Sequence, residues 1–169
     1  MLLALGLRRV GDAEALLVDA ARLDARHRER LLACRAWLLA VTGSVTKAAA
    51  ACESMNPGED REAAMFQRAA LATVALSTER AREAVSHLRR ALATADTLRA
   101  ELPWFLPYLT AYLIDALLLA GRLSEATAEA AEFHAGKRGC GWNVAVAFDT
   151  LLATHRGDST RRVLISGHP

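Results

Sequence analysis

Aromatic residues make up only 5% of this 169-residue chain, and it holds just four prolines and three cysteines. Apolar residues still account for 53%, so alanine and leucine carry the hydrophobicity, a mixture that favours helices over strands. The cysteines, Cys34, Cys52 and Cys140, are odd in number and scattered, with no Cys-x-x-Cys pair and no close His–Cys spacing. A disulfide framework and a zinc site are therefore both disfavoured, and the thiols read as reduced and cytoplasmic. No excess of one charge sign exists either: 21 Lys+Arg face 19 Asp+Glu, leaving +2. That balance is unlike a dedicated nucleic-acid binder and unlike an acidic disordered tail. The length suits one compact domain burying about 70% of its unfolded surface, or a short array of repeats, and not two catalytic domains.

Signals for export and for membrane insertion are also missing. Met1–Arg9 places its apolar stretch before its charges, the reverse of a secretory signal, and the stretch is too short for an h-region with a cleavage site. From Leu102 to Gly121 there is no Lys or Arg, which makes a bilayer-spanning helix worth testing. Asp115 inside it would cost roughly 2.5–3.5 kcal/mol on insertion, and Pro103 and Pro107 interrupt its start. The segment reads better as a helix buried on nearly all sides in a soluble protein.

What is present is a period. Apolar helical patterns stop at a small residue and restart with polar ones around Gly11, Gly43, Ser77, Gly121 and Gly157, at intervals of 32, 34, 44 and 36 residues. Three of these lie near the length of a two-helix repeat. Glycine suits the position because it can end a helix in the left-handed region, and Asp12, Ser44, Thr78 and Ser124 are then expected to cap the amides that open the next helix. Asn56-Pro57-Gly58 adds a further turn.

Between these points the spacing is amphipathic. Over Arg26–Thr42 the residues Leu31, Cys34, Trp37, Leu38 and Val41 recur every three or four positions; Met65, Phe66, Ala69, Ala72 and Leu76 do the same over Glu59–Leu76. A longer helix over Thr78–Glu101 aligns Ala84, Val85, Leu88, Ala91, Leu92, Ala95 and Leu98. The many alanines allow helix axes to approach closely, as tight antiparallel hairpins require. The expected fold is all-α: a right-handed superhelix of about eight or nine helices in antiparallel pairs, forming one tetratricopeptide-like repeat domain over 1–169. Both ends fall inside a repeat, so the chain reads as a fragment of a longer protein.

The run Leu88-Arg89-Arg90-Ala91-Leu92-Ala93-Thr94-Ala95, with the segment from Leu109 to Ala126, resembles the tetratricopeptide-like helical region of the large ATP-binding LuxR-type (MalT-like) bacterial transcriptional regulators. Nineteen of the 21 basic residues are arginine, which together with the alanine content points to a high-GC actinobacterial genome. In those regulators a P-loop ATPase precedes this region and a helix-turn-helix comes after it. This sequence contains no Gly-x-x-x-x-Gly-Lys-Ser/Thr, and the stretch after Gly157 is too short for a DNA-reading domain. The resemblance therefore implies no ATP-binding or DNA-binding residue here, no cofactor and no direct nucleic-acid contact. It implies the repeat region's role: sensing an inducer or holding a protein partner.

The candidate contact residues are Trp104, Tyr108, Tyr112, Asp115, Arg138 and Trp142. Trp104, Tyr108 and Tyr112 stand four apart and share a helix face, where they either line a ligand groove or pack on the preceding helix. Asp115 is either a polar anchor in that groove or the partner of a nearby arginine. Lys137-Arg138-Gly139-Cys140-Gly141-Trp142 reads either as a contact loop or as a plain glycine-rich link. Arg22, Arg26, His27, Arg28, Arg30 and Arg35, interrupted by Asp24 and Glu29 and lacking interleaved aromatics, read as a solvated helix face. The five histidines show no metal spacing.

The functional expectation is a non-enzymatic, cytoplasmic module that binds a protein or peptide partner or a small-molecule inducer within a LuxR-type regulator. It has no membrane contact, and exposed repeat ends leave homo-oligomerisation open. The rivals are a standalone tetratricopeptide-like adaptor unconnected with transcription and a small all-α enzyme built around Asp115, Tyr108 and Cys140.

Overall fold

The computed structural model describes residues 10–23 and 27–135, and within them every regular element is a helix. These are α1 (Val10–Leu23), α2 (Arg28–Val41), α3 (Val45–Glu53), α4 (Arg61–Ser77), α5 (Ala81–Thr97), α6 (Phe105–Leu119) and α7 (Leu123–His134). The expected termini of the array, including the turn at Gly157, lie outside the described residues. Each helix packs on the one before it, and α2 also packs broadly on α4, while α6 reaches α4 more narrowly.

Three chain reversals, α2 to α3, α4 to α5 and α6 to α7, share one hydrogen-bond pattern. In each, the residue after the cap donates to the carbonyl three positions back: Gly43 to Ala40 at 3.1 Å, Glu79 to Leu76 at 3.2 Å and Gly121 to Leu118 at 3.0 Å. The next amide reaches five positions back, Ser44 to Leu39, Arg80 to Ala75 and Arg122 to Leu117, each at 2.8 Å. This is the Schellman closure, which satisfies the last carbonyls of a helix and requires a left-handed residue at its corner. Gly43 (φ 87°) and Gly121 (φ 74°) supply it, as their sequence context predicts.

The middle reversal departs from expectation. Its left-handed corner is Glu79 (φ 59°) and not Ser77, which still belongs to α4. The corners therefore stand at 43, 79 and 121, two intervals of 36 and 42 residues. Gly11 is also corrected: it is the second residue of α1 and has no left-handed backbone. The predicted hydroxyl caps do not form. Ser44 is the N-cap of α3 without a side-chain bond, while the N-cap positions of α5 and α7 are Arg80 and Arg122, also without one. Thr78 instead donates to the carbonyl of Val74 at 2.8 Å, sealing the helix it ends and not the one it precedes; Thr42 does the same to Leu38 at 2.8 Å. Schellman geometry already turns the chain, so a helix can start without a capping hydroxyl. In place of one, Arg80 and Arg122 reach Glu83 and Glu125 at 2.8 and 2.6 Å, ion pairs that span the first turn. Among the described N-caps, the side chain that does cap is Asp60, which accepts from the Ala63 amide at 2.9 Å after the Asn56-Pro57-Gly58 turn.

The core is built as the alanine content suggests. Ala33, Ala36 and Ala40 on α2 and Ala69, Ala70, Ala72 and Ala75 on α4 are all buried, and small side chains at these positions let helix axes approach closely. Larger residues gather around Trp37, which is 1% exposed. Its indole meets Phe105 edge-on at 5.0 Å and Tyr108 edge-on at 5.3 Å, and lies 5.9 Å from Phe66, which is itself 4.7 Å from Phe105. One side chain thus joins α2, α4 and α6. Leu38, on the other face of α2, packs with Ala13 and Leu17 to hold α1.

Ion pairs tie the same helices at their rims. Arg30 bridges α2 to the start of α4 through Asp60 at 3.3 Å and Glu62 at 3.2 Å. Arg35 holds Glu14 of α1 at 2.6 Å. Arg89 of α5 and Arg122 both hydrogen-bond Glu125 of α7, and these bonds keep its carboxyl below the usual range. Within the basic stretch, then, Arg30 and Arg35 are not solvated charges but inter-helix ties.

No described helix is long and apolar enough to cross a membrane. The charge-poor segment from Leu102 forms α6, 15 residues long, with nine of them buried against protein.

The turns generate one prediction and α5 another. A left-handed corner costs a residue with a Cβ about 1–2 kcal/mol, so Gly43→Ala and Gly121→Ala should each destabilise the fold by about that amount in urea denaturation. No atom lies within 4 Å of a Cβ built at either glycine, so the loss is conformational and not steric. Glu79→Gly should be neutral or stabilising by up to about 1 kcal/mol. The α5 prediction concerns His87, whose Nδ1 is sealed from solvent without a hydrogen-bond partner and whose Nε2 lies 3.7 Å from Glu83. Burial pushes its pKa down against the pull of Glu83, and Arg68 and Arg90 push the same way as burial. The unfolded chain takes up that proton more readily, so the stability linked to neutral His87 is complete above pH about 6.5 and is lost as pH falls through the lower folded value. Thermal denaturation from pH 7.5 to 5 should show a steeper acid loss for the wild type than for His87→Gln.

Candidate functional site

Along α6 the buried residues leave one strip open. Phe105, Leu106, Leu109, Thr110, Leu113, Ile114 and Ala116–Leu118 face the core. Trp104, Pro107, Tyr108, Ala111, Tyr112, Asp115 and Leu119 remain, and Trp104, Tyr108, Tyr112, Asp115 and Leu119 follow one another at three- and four-residue steps that place them in line on the helix surface. Trp104 is the N-cap residue, 43% exposed, and Leu119 at the far end is 57% exposed. The strip thus holds four of the six candidate contact residues. Arg138 and Trp142 lie outside the described residues, as do Lys137 and Cys140 of the same loop.

The rings of the strip pack inward on the core while keeping part of their surface open. Trp104 lies 6.3 Å from Trp37 and 5.1 Å from Phe105, yet keeps nearly half its surface in water. Tyr108 presents its inner side edge-on to Trp37 and stacks parallel to Phe105 at 6.2 Å. Tyr112 meets Tyr108 at 4.9 Å, and the two hydroxyls share a hydrogen bond of 2.9 Å. Local spacing points to the preceding helix as the packing partner, but α5 contains no aromatic residue; the ring partner is Trp37 on α2. Nothing local to residues 104–112 could have identified it, since the contact joins positions more than sixty residues apart. Trp37 and Phe66 carried a sequence signal as members of apolar stripes, and only tertiary packing makes them the wall behind the strip.

The chemistry of the strip is that of neutral contact. Burial, and then the Tyr112 hydroxyl beside it, push the Tyr108 phenol well above its ordinary pKa, so it stays protonated at any physiological pH. Two phenols that share one hydrogen bond leave one proton and further lone pairs for a third group. Asp115 is half-buried and already engaged by a neighbouring group. Apart from it the strip carries no charge.

Other potential reactive groups are quiet. Burial pushes the Cys34 thiol up to about 12 and the Cys52 thiol up to about 11, so neither supplies a thiolate at neutral pH. The Cys52 thiol points at the Gln67 carbonyl, 3.9 Å away, while the Gln67 amide donates to the Cys52 carbonyl at 2.9 Å. These reciprocal contacts pin α3 to α4. Among the described residues no group of three or more His, Cys, Asp or Glu side chains could hold a metal ion. Arg22 pairs with Asp19 at 3.6 Å, and with Arg30 and Arg35 engaged across helices, no continuous row of unpaired cations is present in the described part of the basic stretch.

Comparison with protein-family models, with curated proteins and with solved structures finds no match.

The hydroxyl pair makes a direct prediction. Tyr108→Phe and Tyr112→Phe each remove the same hydrogen bond, so each should cost about 0.5–1.5 kcal/mol in urea denaturation. The double variant should cost clearly less than the two single losses together, because the second substitution has no bond left to break.

Proposed function

We propose that the chain is a tetratricopeptide-like module, a right-handed superhelix of antiparallel helix pairs, which holds a protein or peptide partner or a small-molecule inducer for a LuxR-type transcriptional regulator. The observation that carries this reading is the open, ring-bearing strip of α6, from Trp104 through Tyr108 and Tyr112, braced from behind by the buried indole of Trp37. Rings held by a core lose little conformational freedom on binding and offer a large contact area, which is what a recognition surface needs. The thrice-repeated hairpin turn supports the repeat architecture, since each pair reverses the chain by the same hydrogen bonds. The likeness of residues 88–95 and 109–126 to the helical region of those regulators supplies the link to transcription.

On this reading the module does no chemistry of its own. Its phenol and its described thiols are held protonated, and its one carboxylate on the strip is already engaged. Binding works by surface complementarity, and a ligand that fits one curvature of the stacked pairs better than another shifts the population toward it. The working compartment is the cytoplasm.

Panning a random peptide library and a set of small metabolites against the full chain tests the proposal, with Trp104→Ala and Tyr112→Ala as counter-screens whose helicity is checked by circular dichroism. The expected result is a ligand whose affinity falls at least tenfold, about 1.4 kcal/mol, on either substitution while the helical signal is retained. Ligands that ignore both substitutions, or turnover of a bound metabolite, would overturn it. The regulator assignment has its own check in the encoding DNA: the reading frame should continue into a P-loop ATPase upstream and a helix-turn-helix downstream.

A further inference from the structure

We draw no further inference here: the strongest candidate, the groove of about 320 Å³ between α5, α6 and α7 floored by Leu92, Leu106 and Leu113, carries nothing because its rim arginines Arg89 and Arg99 are already paired with Glu125 and Asp96 and nothing in the structure shows what covers it.

Discussion

The indole of Trp37 is the contact on which the arrangement turns. It is almost fully buried, it belongs to α2, and the rings it meets belong to α4 and α6. Eight of the fifteen buried residues of α2 and α4 are alanine, which brings the helix axes together but buries little area per residue. A large aromatic in such a seam contributes disproportionately, and truncation of a buried tryptophan typically costs about 3–5 kcal/mol. Because Phe105 and Tyr108 are its edge-on partners, the same contact fixes the rotation of α6 about its own axis. That rotation decides which residues of an almost wholly apolar helix remain open to water.

The hairpin turns show how one backbone solution accepts different residues. At two corners glycine takes the left-handed conformation, and at the third a glutamate does. The hydrogen bonds close in the same way in all three. What the closure requires is a backbone angle, and a Cβ raises the cost of that angle without forbidding it. A pattern search tuned to small residues therefore places the middle corner two positions early, on Ser77. The same closure explains why Ser44 makes no cap bond: the turn is already built from the preceding helix's carbonyls. At α4, which no Schellman closure precedes, a carboxylate cap appears in the form of Asp60, while α6, also without such a closure before it, has Trp104 at its N-cap with no side-chain bond. Burial raises the Asp60 carboxyl, and the Ala63 amide and Arg30 outweigh that and hold it below the usual range.

Among the described residues several arginines are used locally. Arg30, Arg35, Arg89 and Arg122 each meet a carboxylate, three of them across helices, with Arg122 adding an in-helix tie to the shared Glu125. With a formal net charge of only +2, the chain has little net field to steer a polyanion. The strip on α6, by contrast, is nearly charge-free, so what it offers is ring contact and neutral hydrogen bonding.

Composition and periodicity were enough to determine the helical class, the spans of α2, α4 and α5 to within a few residues, the alanine-lined interfaces and the glycine corners at 43 and 121. These arise from propensities and spacings that act within a dozen residues. The line of Trp104, Tyr108, Tyr112 and Asp115 was legible for the same reason, since a shared helix face is a property of local spacing. Which side of that face looks inward was not. It depends on where Trp37 arrives from a helix more than sixty residues earlier, and on the partners that Asp60, Arg30 and Arg35 find across helix boundaries. Such contacts are chosen by packing among whole helices, and a linear pattern holds no record of which elements become neighbours.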